Sequence, residues 1–336
     1  MRSGPGPRSG RLPTMPDTRD PTAVVDLDVR DELDRVEALL RKTVSSGEPL
    51  VREAATHLLA AGGKRFRPML VLLCGHLGDP ADPRLVPCAA AIELTHLATL
   101  YHDDVMDESS VRRGVPSANA RFDNTVAILT GDYLFARSSG IAADLGTYVS
   151  RVLADTIADL CEGQIMESEH STGGHQTVER YLAVVERKTA ALLATSCRLG
   201  AWLGGAPSEQ VEAVTEFGRA VGVAFQLSDD VIDIAGTEEE TGKVPGTDLR
   251  EGVWTLPVFE TLAGRAAGAD DLRKALDQKD AASALELLRS NGSVDLALKT
   301  VSDWATRARD ALAPVPEGPA RTALEALAVF LTDRTA

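Results

Sequence analysis

The stretch "AAAIELTHLATLYHDDVMDESSVRRG", residues 89–114, runs from an apolar segment into a knot of four acids and two adjacent arginines. Its apolar positions recur at spacings of three and four, the pattern of a buried helix. Asp103, Asp104 and Asp107 follow at i, i+1 and i+4, and with 3.6 residues per turn Asp103 and Asp107 leave the same face of that helix. Like charges at this spacing destabilise a helix, so either water or a cation must compensate them. Taken alone, the motif reads equally well as a solvated helix end.

The same arrangement returns in "EAVTEFGRAVGVAFQLSDDVIDIAG", residues 212–236, where Asp229, Asp230 and Asp233 again close an apolar helix. The 28 aspartates of the chain predict roughly 0.2 chance matches to such a pattern. Two matches, each ending an apolar helix, therefore point to a shared role. Two acidic helix faces turned into one cavity make an all-oxygen site that suits Mg²⁺, which takes one or two carboxylates, keeps waters and completes its shell with phosphate oxygens.

Outward from these motifs the chain is helical. "DVRDELDRVEALLRKTV", "NTVAILTGDYLFARSSGIAADL" and "VERYLAVVERKTAALLATSCRLGAWL" repeat the three-and-four spacing, and regular alternation is nearly absent. Aromatics are only 4% of the 336 residues while Ala and Leu dominate, which favours close-packed helices over strands. Short punctuation such as "AAGGKRFRP", "GDPADP" and "GGAPSEQ" fits helix ends. The expected fold is all-α, a single large bundle over residues 24–336 with its ligand site in a deep central cavity between helices. Residues 1–23, rich in Gly, Pro and Arg, read as a disordered N-terminal arm.

A formal net charge of −15 excludes a general nucleic-acid binder, whose affinity rests on basic residues. Cys74, Cys88, Cys161 and Cys197 show no paired spacing and read as small buried hydrophobes of a reducing compartment, so a cytoplasmic protein is expected. No uninterrupted apolar run is long enough for a membrane span.

A phosphate ligand also needs cations. Arg112 and Arg113 follow the first acidic cluster. Lys64, Arg65 and Arg67 sit in the Gly-loosened "GGKRFRP", where guanidinium can grip phosphate bidentately, although a solvated turn has the same appearance. Lys188 begins an apolar helical run and Lys243 lies in a loop past Asp233; each by itself is ambiguous. His102 beside Asp103 raises the alternative of a metal hydrolase, but the six histidines show no HExxH or related spacing, and that reading leaves the second acidic cluster without a role.

In family order, "GGKRFRP", "HDDVMDESSVRRG", "CEGQIM", "ERKTAALLATSCRLGA", "FQLSDDVIDIAG" and "TGKVPGTDLREGVWTLPV" give a chain that, from about residue 50 to residue 330, resembles the trans-isoprenyl diphosphate synthases, or polyprenyl synthetases. Class I terpene cyclases share the first acidic motif but carry an Asn/Ser/Glu-type second one. The resemblance implies mainly antiparallel helices, a homodimer with room for an accessory subunit, and head-to-tail prenyl transfer. It implies that Asp103, Asp104, Asp107, Asp229, Asp230 and Asp233 hold Mg²⁺ against an allylic diphosphate, with Asp103, Asp104, Asp107, Lys188, Asp229 and Asp230 central to catalysis. Arg112, Lys188, Thr189, Gln226 and Lys243 would contact that same diphosphate, and Lys64, Arg67, His96 and Arg113 would bind isopentenyl diphosphate. Gln164 departs from the Glu of many long-chain relatives, and Trp254 stands where a smaller residue or Pro is common.

Ala98, five residues before Asp103, is expected to leave the product tunnel open where short-chain relatives carry a bulky aromatic, although Ala is also simply the best helix former. The wording of the first acidic motif most resembles long-chain synthases, so heptaprenyl to nonaprenyl products are expected. A shorter farnesyl or geranylgeranyl product, or a subunit of a two-component synthase, are the alternatives.

Overall fold

A computed structural model describes residues 24–171, 177–237 and 244–333; the expected N-terminal arm lies outside them. The described residues are almost entirely helical. The amino-terminal half comprises α1 (Arg30–Val44), α2 (Pro49–Ala60), α3 (Phe66–Gly75), α4 (Leu85–Met106), α5 (Ala118–Phe122), α6 (Asn124–Leu145) and α7 (Thr147–Ser171). Then follow α8 (Val178–Val185), a π-helical turn (Glu186–Ala190), α9 (Ala191–Leu203) and the long α10 (Ser208–Ala235). Four short helices and two longer ones complete the described residues: α11 (Thr247–Glu251), α12 (Leu256–Leu262), α13 (Ala269–Asp277), α14 (Ala281–Ser290), α15 (Ser293–Ala311) and α16 (Pro319–Asp333).

Two helices organise the bundle, and both end in the acidic motifs. α4 is buried nearly all round because its face positions are Ala, Leu and Ile with no charge before Glu93. Its Leu94 and Leu97 are fully buried, each stabilising by roughly 1.5–3 kcal/mol relative to exposure. α4 lies along α6, and α10 lies between α9 and α15. Close approach is secured by small residues. A Cβ on Gly200 of α9 would stand 2.2 Å from the carbonyl oxygen of Val71 in α3, so these helices touch backbone to backbone at that level.

The one strand pairing among the described residues was not legible as alternation. Val111–Arg112 pairs antiparallel with Val115–Pro116. Arg113 and Gly114 make the turn with φ of 55° and 76°, the two left-handed residues that a tight hairpin requires. The hairpin folds the chain back after α4 and returns Arg112 and Arg113 towards the acids that precede them. No described helix is long and apolar enough to cross a membrane.

Candidate active site

A cavity of about 890 Å³ opens between α4, α6, α7, α10, the π-helical turn and the loop into α3. Its polar lining includes Asp103, Asp107, Asp229, Lys188, Thr189 and Gln226 with Lys64, Arg67, His96, Arg112 and Arg113. Its apolar lining includes Leu100, Phe135, Leu160, Ile165, Leu193 and Phe225. Residues far apart in sequence thus gather acids, cations and apolar walls around one cavity.

Burial pushes the Asp103 carboxyl up to about 6, with Lys188 opposing and Asp107 adding to the rise. Asp104, one residue on, turns about 100° away. It is fully buried, lines no part of the cavity, and accepts the Nε hydrogen of Arg112 at 2.6 Å. It holds Arg112 and is not part of the acidic face, a correction to its expected place beside Asp103. The second motif divides likewise. Asp229 faces the main cavity, while Asp230 is buried between Tyr181, which donates its hydroxyl hydrogen, and Gln226, whose Nε2 donates at 3.0 Å. Burial drives the Asp230 carboxyl up to about 8, and Asp248 adds to that. Asp233 accepts from the backbone N–H groups of Thr247 at 3.1 Å and Asp248 at 3.2 Å, so it caps α11.

The remaining set, Asp103 and Asp107 facing the same cavity as Asp229, consists of oxygen donors, and the charge that burial disfavours on Asp103 calls for a cation. No group of three or more acidic, His or Cys side chains converges into a ready metal cage among the described residues. Hydrated Mg²⁺ shared with phosphate oxygens fits such an open set.

The cations are held by the fold. Arg65, the left-handed residue that starts α3, pairs with Glu37 of α1 at 2.9 Å and with buried Glu93 of α4 at 3.0 Å. That anchorage fixes the loop; Lys64, Arg65 and Arg67 all line the cavity, with Arg65 held by its two glutamates. Arg113 is tied by hydrogen bonds from Nη1 to the carbonyls of Leu58, at 3.2 Å, and Gly62. Burial draws the Arg67 guanidinium down to about 10, and its buried Nε has no hydrogen-bond partner. Burial, then Arg67, Arg113, Arg112 and Arg65, holds the His96 imidazole neutral, its pKa well below the usual range. A pocket crowded with like charge is built to receive an anion.

Lys188 sits on the π-helical turn, against which Gly163 of α7 packs so closely that a Cβ there would lie 2.8 Å from the Lys188 nitrogen. Its ammonium donates to Glu167. Burial pulls its pKa down, but Glu167, Asp103 and Asp107 together more than offset this and raise it. Thr189 donates through Oγ1 to Oε1 of Gln226 at 2.9 Å. Lys243 lies outside the described residues.

Ala98 is fully buried in the main core and does not line the cavity; Thr99 and Leu100 do. The reason is helical phase, since five residues carry a side chain about 140° round from Asp103 whereas four carry it only about 40°. Gln164 does line the cavity, its Oε1 buried without a partner. Trp254 packs against Phe259 at a centroid distance of 6.2 Å and borders a smaller pocket of about 230 Å³. Sequence reading missed Glu167 and Tyr181. Glu167 stood in the quoted neighbourhood of "CEGQIM", but its pairing with Lys188 spans 21 residues, and that of Tyr181 with Asp230 spans 49.

Compared with known proteins, residues 48–289 match the sequence model of one family, Polyprenyl synthetase. A nonaprenyl diphosphate synthase of Mycobacterium tuberculosis is 43% identical over 91% of this chain and 93% of its own length. Heptaprenyl diphosphate synthase component 2 of Geobacillus stearothermophilus is 38% identical over 90% of this chain and 96% of its own. Among solved structures, a geranylgeranyl pyrophosphate synthase from Corynebacterium glutamicum, complexed with calcium and isoprenyl diphosphate, superposes with a TM-score of 0.80 at 42% identity, covering 91% of this chain and 96% of that one.

Proposed function

The chain belongs to the polyprenyl synthetase family and is a trans-prenyltransferase, and we propose that it elongates an allylic diphosphate with isopentenyl diphosphate to an all-trans-polyprenyl diphosphate of heptaprenyl to nonaprenyl length. The observation that carries this is that acids, cations and apolar side chains from separate helices line one cavity. The 43% identity to a nonaprenyl diphosphate synthase supports the long product.

In this reading Asp103, Asp107 and Asp229 hold Mg²⁺ at the allylic diphosphate, and Lys188 and Arg112 approach the same group. Mg²⁺, when bound, supplies charge stabilisation for the leaving diphosphate. Lys64, Arg67, Arg113 and neutral His96 grip the diphosphate of isopentenyl diphosphate. The allylic carbon–oxygen bond breaks and its electron pair leaves with the diphosphate. The isopentenyl double bond then forms the new carbon–carbon bond, and loss of a proton to the departed diphosphate restores an allylic product. The apolar walls exclude water from the cation, and charges fixed by the fold need no reorganisation as charge develops.

A shorter product is the second reading, favoured by the 42% identity to a geranylgeranyl pyrophosphate synthase. A homodimer belongs to the same proposal: Leu129 of α6 is 60% exposed, an apolar side chain that a second copy would cover. The relative named as a component 2 leaves room for an accessory subunit, and a cytoplasmic location is proposed from the thiols, of which Cys74, Cys88 and Cys197 are buried as expected while Cys161 is exposed. The test incubates the purified chain with Mg²⁺, radiolabelled isopentenyl diphosphate and farnesyl or geranylgeranyl diphosphate, then sizes the dephosphorylated products. Products of 35 to 45 carbons, the arithmetic of seven to nine five-carbon units, are expected; a folded chain that elongates neither primer overturns the proposal.

A further inference from the structure

We propose that Tyr181 is a positioning residue that fixes, through Asp230, the orientation in which Gln226 and Thr189 meet the substrate. Tyr181 lies on α8 with its ring buried against Phe259, at a centroid distance of 5.4 Å. Ring burial accounts for an aromatic there, but a phenylalanine would serve it as well. The hydroxyl has a different partner, Oδ2 of Asp230 on α10. The other carboxylate oxygen, Oδ1, accepts from Nε2 of Gln226 at 3.0 Å. With Oδ1 accepting from it, the NH₂ of Gln226 faces Asp230 and Oε1 is left on the far side. There Oε1 accepts the Thr189 hydroxyl at 2.9 Å.

The four side chains form one directed row from α8 through α10 to the π-helical turn. Gln226 and Thr189 line both the main cavity and the smaller pocket, whereas Tyr181 and Asp230 border the smaller pocket alone. Tyr181 therefore reaches the main cavity through others. Without its hydroxyl, Asp230 loses the bond that holds its plane, and the amide in front of it is free to rotate.

The inference rests on the function proposed above, and the experiment separates the two. Steady-state rates are measured for wild type, Tyr181→Phe, Gln226→Leu and the double variant. Tyr181→Phe is expected to lower kcat about tenfold, the upper scale of one lost hydrogen bond, with KM for isopentenyl diphosphate within about twofold of wild type. In the Gln226→Leu background the same change is expected to alter kcat less than about twofold, since residues that act as a unit are not additive. An equal fall in both backgrounds, or no fall in either, overturns the inference. A wild type that elongates no primer overturns the function itself. Should Tyr181→Phe fail to fold by circular dichroism, Asp230→Asn takes its place in the same cycle, with the same outcomes deciding.

Discussion

Asp104 accepts the Nε hydrogen of Arg112 at 2.6 Å from inside the core, while the rest of the Arg112 side chain, 30% exposed, reaches the cavity. The pair ties the hairpin to the end of α4. The second aspartate of the motif thereby supports a cation, and the first and third present the acidic face.

This separates the aspartates experimentally. Asp104→Asn is expected to lower stability by about 2 kcal/mol, less than the loss from a fully buried pair because Arg112 keeps contact with water. Its requirement for Mg²⁺ stays near that of wild type. Asp107→Asn is expected to leave stability unchanged and to raise the Mg²⁺ needed for half-maximal rate at least tenfold. Urea denaturation and Mg²⁺ titration of the rate check both; a raised Mg²⁺ requirement in Asp104→Asn would return that residue to the metal.

The raised Asp103 carboxyl gives a pH signature. Its folded value of about 6 exceeds the ordinary 3.8, so between these the folded chain binds the extra proton and stability falls as pH rises. Metal-free wild type should therefore lose thermal stability relative to Asp103→Asn from about pH 4 to 6, and the gap should then stay constant. Mg²⁺ with a diphosphate should narrow it by favouring the ionised form. A gap independent of pH contradicts the burial of that carboxyl.

Chain length should respond to the helix face and not to distance along α4. Thr99→Phe places a ring on the cavity wall and is expected to shorten the product by at least one five-carbon unit. Ala98→Phe forces a ring into the packed core and is expected to cost about 1–3 kcal/mol in stability, without the shift in product that the sequence suggested. Product sizing and thermal melts on both variants decide it; shortening by Ala98→Phe alone would reverse the assignment.

The same phase argument shows what the sequence could carry. Helix periodicity and the doubled acidic motif exposed the bundle and the residues Asp103, Asp107 and Asp229, because those signals are local and repeated. The roles of Asp104, Asp230 and Asp233 depend on partners 8 to 49 residues away, and no local pattern encodes such pairing. Arg65 and Arg67 look alike in "GGKRFRP" and both line the cavity, yet among the described residues only the first forms ion pairs with Glu37 and Glu93. The hairpin was illegible for another reason, since strands of two residues carry no alternation.

Arg67 brings stability and function into opposition. Its guanidinium is drawn down to about 10 by burial, with Glu93 opposing and Arg113 adding to the fall, and its Nε lacks a partner. A cation whose burial outweighs its nearby anion is destabilising, and a bound anionic ligand would offset that cost. Arg67→Met keeps the bulk of the stem and removes the charge. The free protein is then expected to gain about 1 kcal/mol by urea denaturation, while KM for isopentenyl diphosphate rises at least tenfold and kcat changes little. The stabilisation that inorganic pyrophosphate gives wild type should shrink in parallel. If the variant is less stable than wild type in the absence of ligand, Arg67 is part of the framework, and the cavity must be gripping its anion through Lys64 and Arg113 instead.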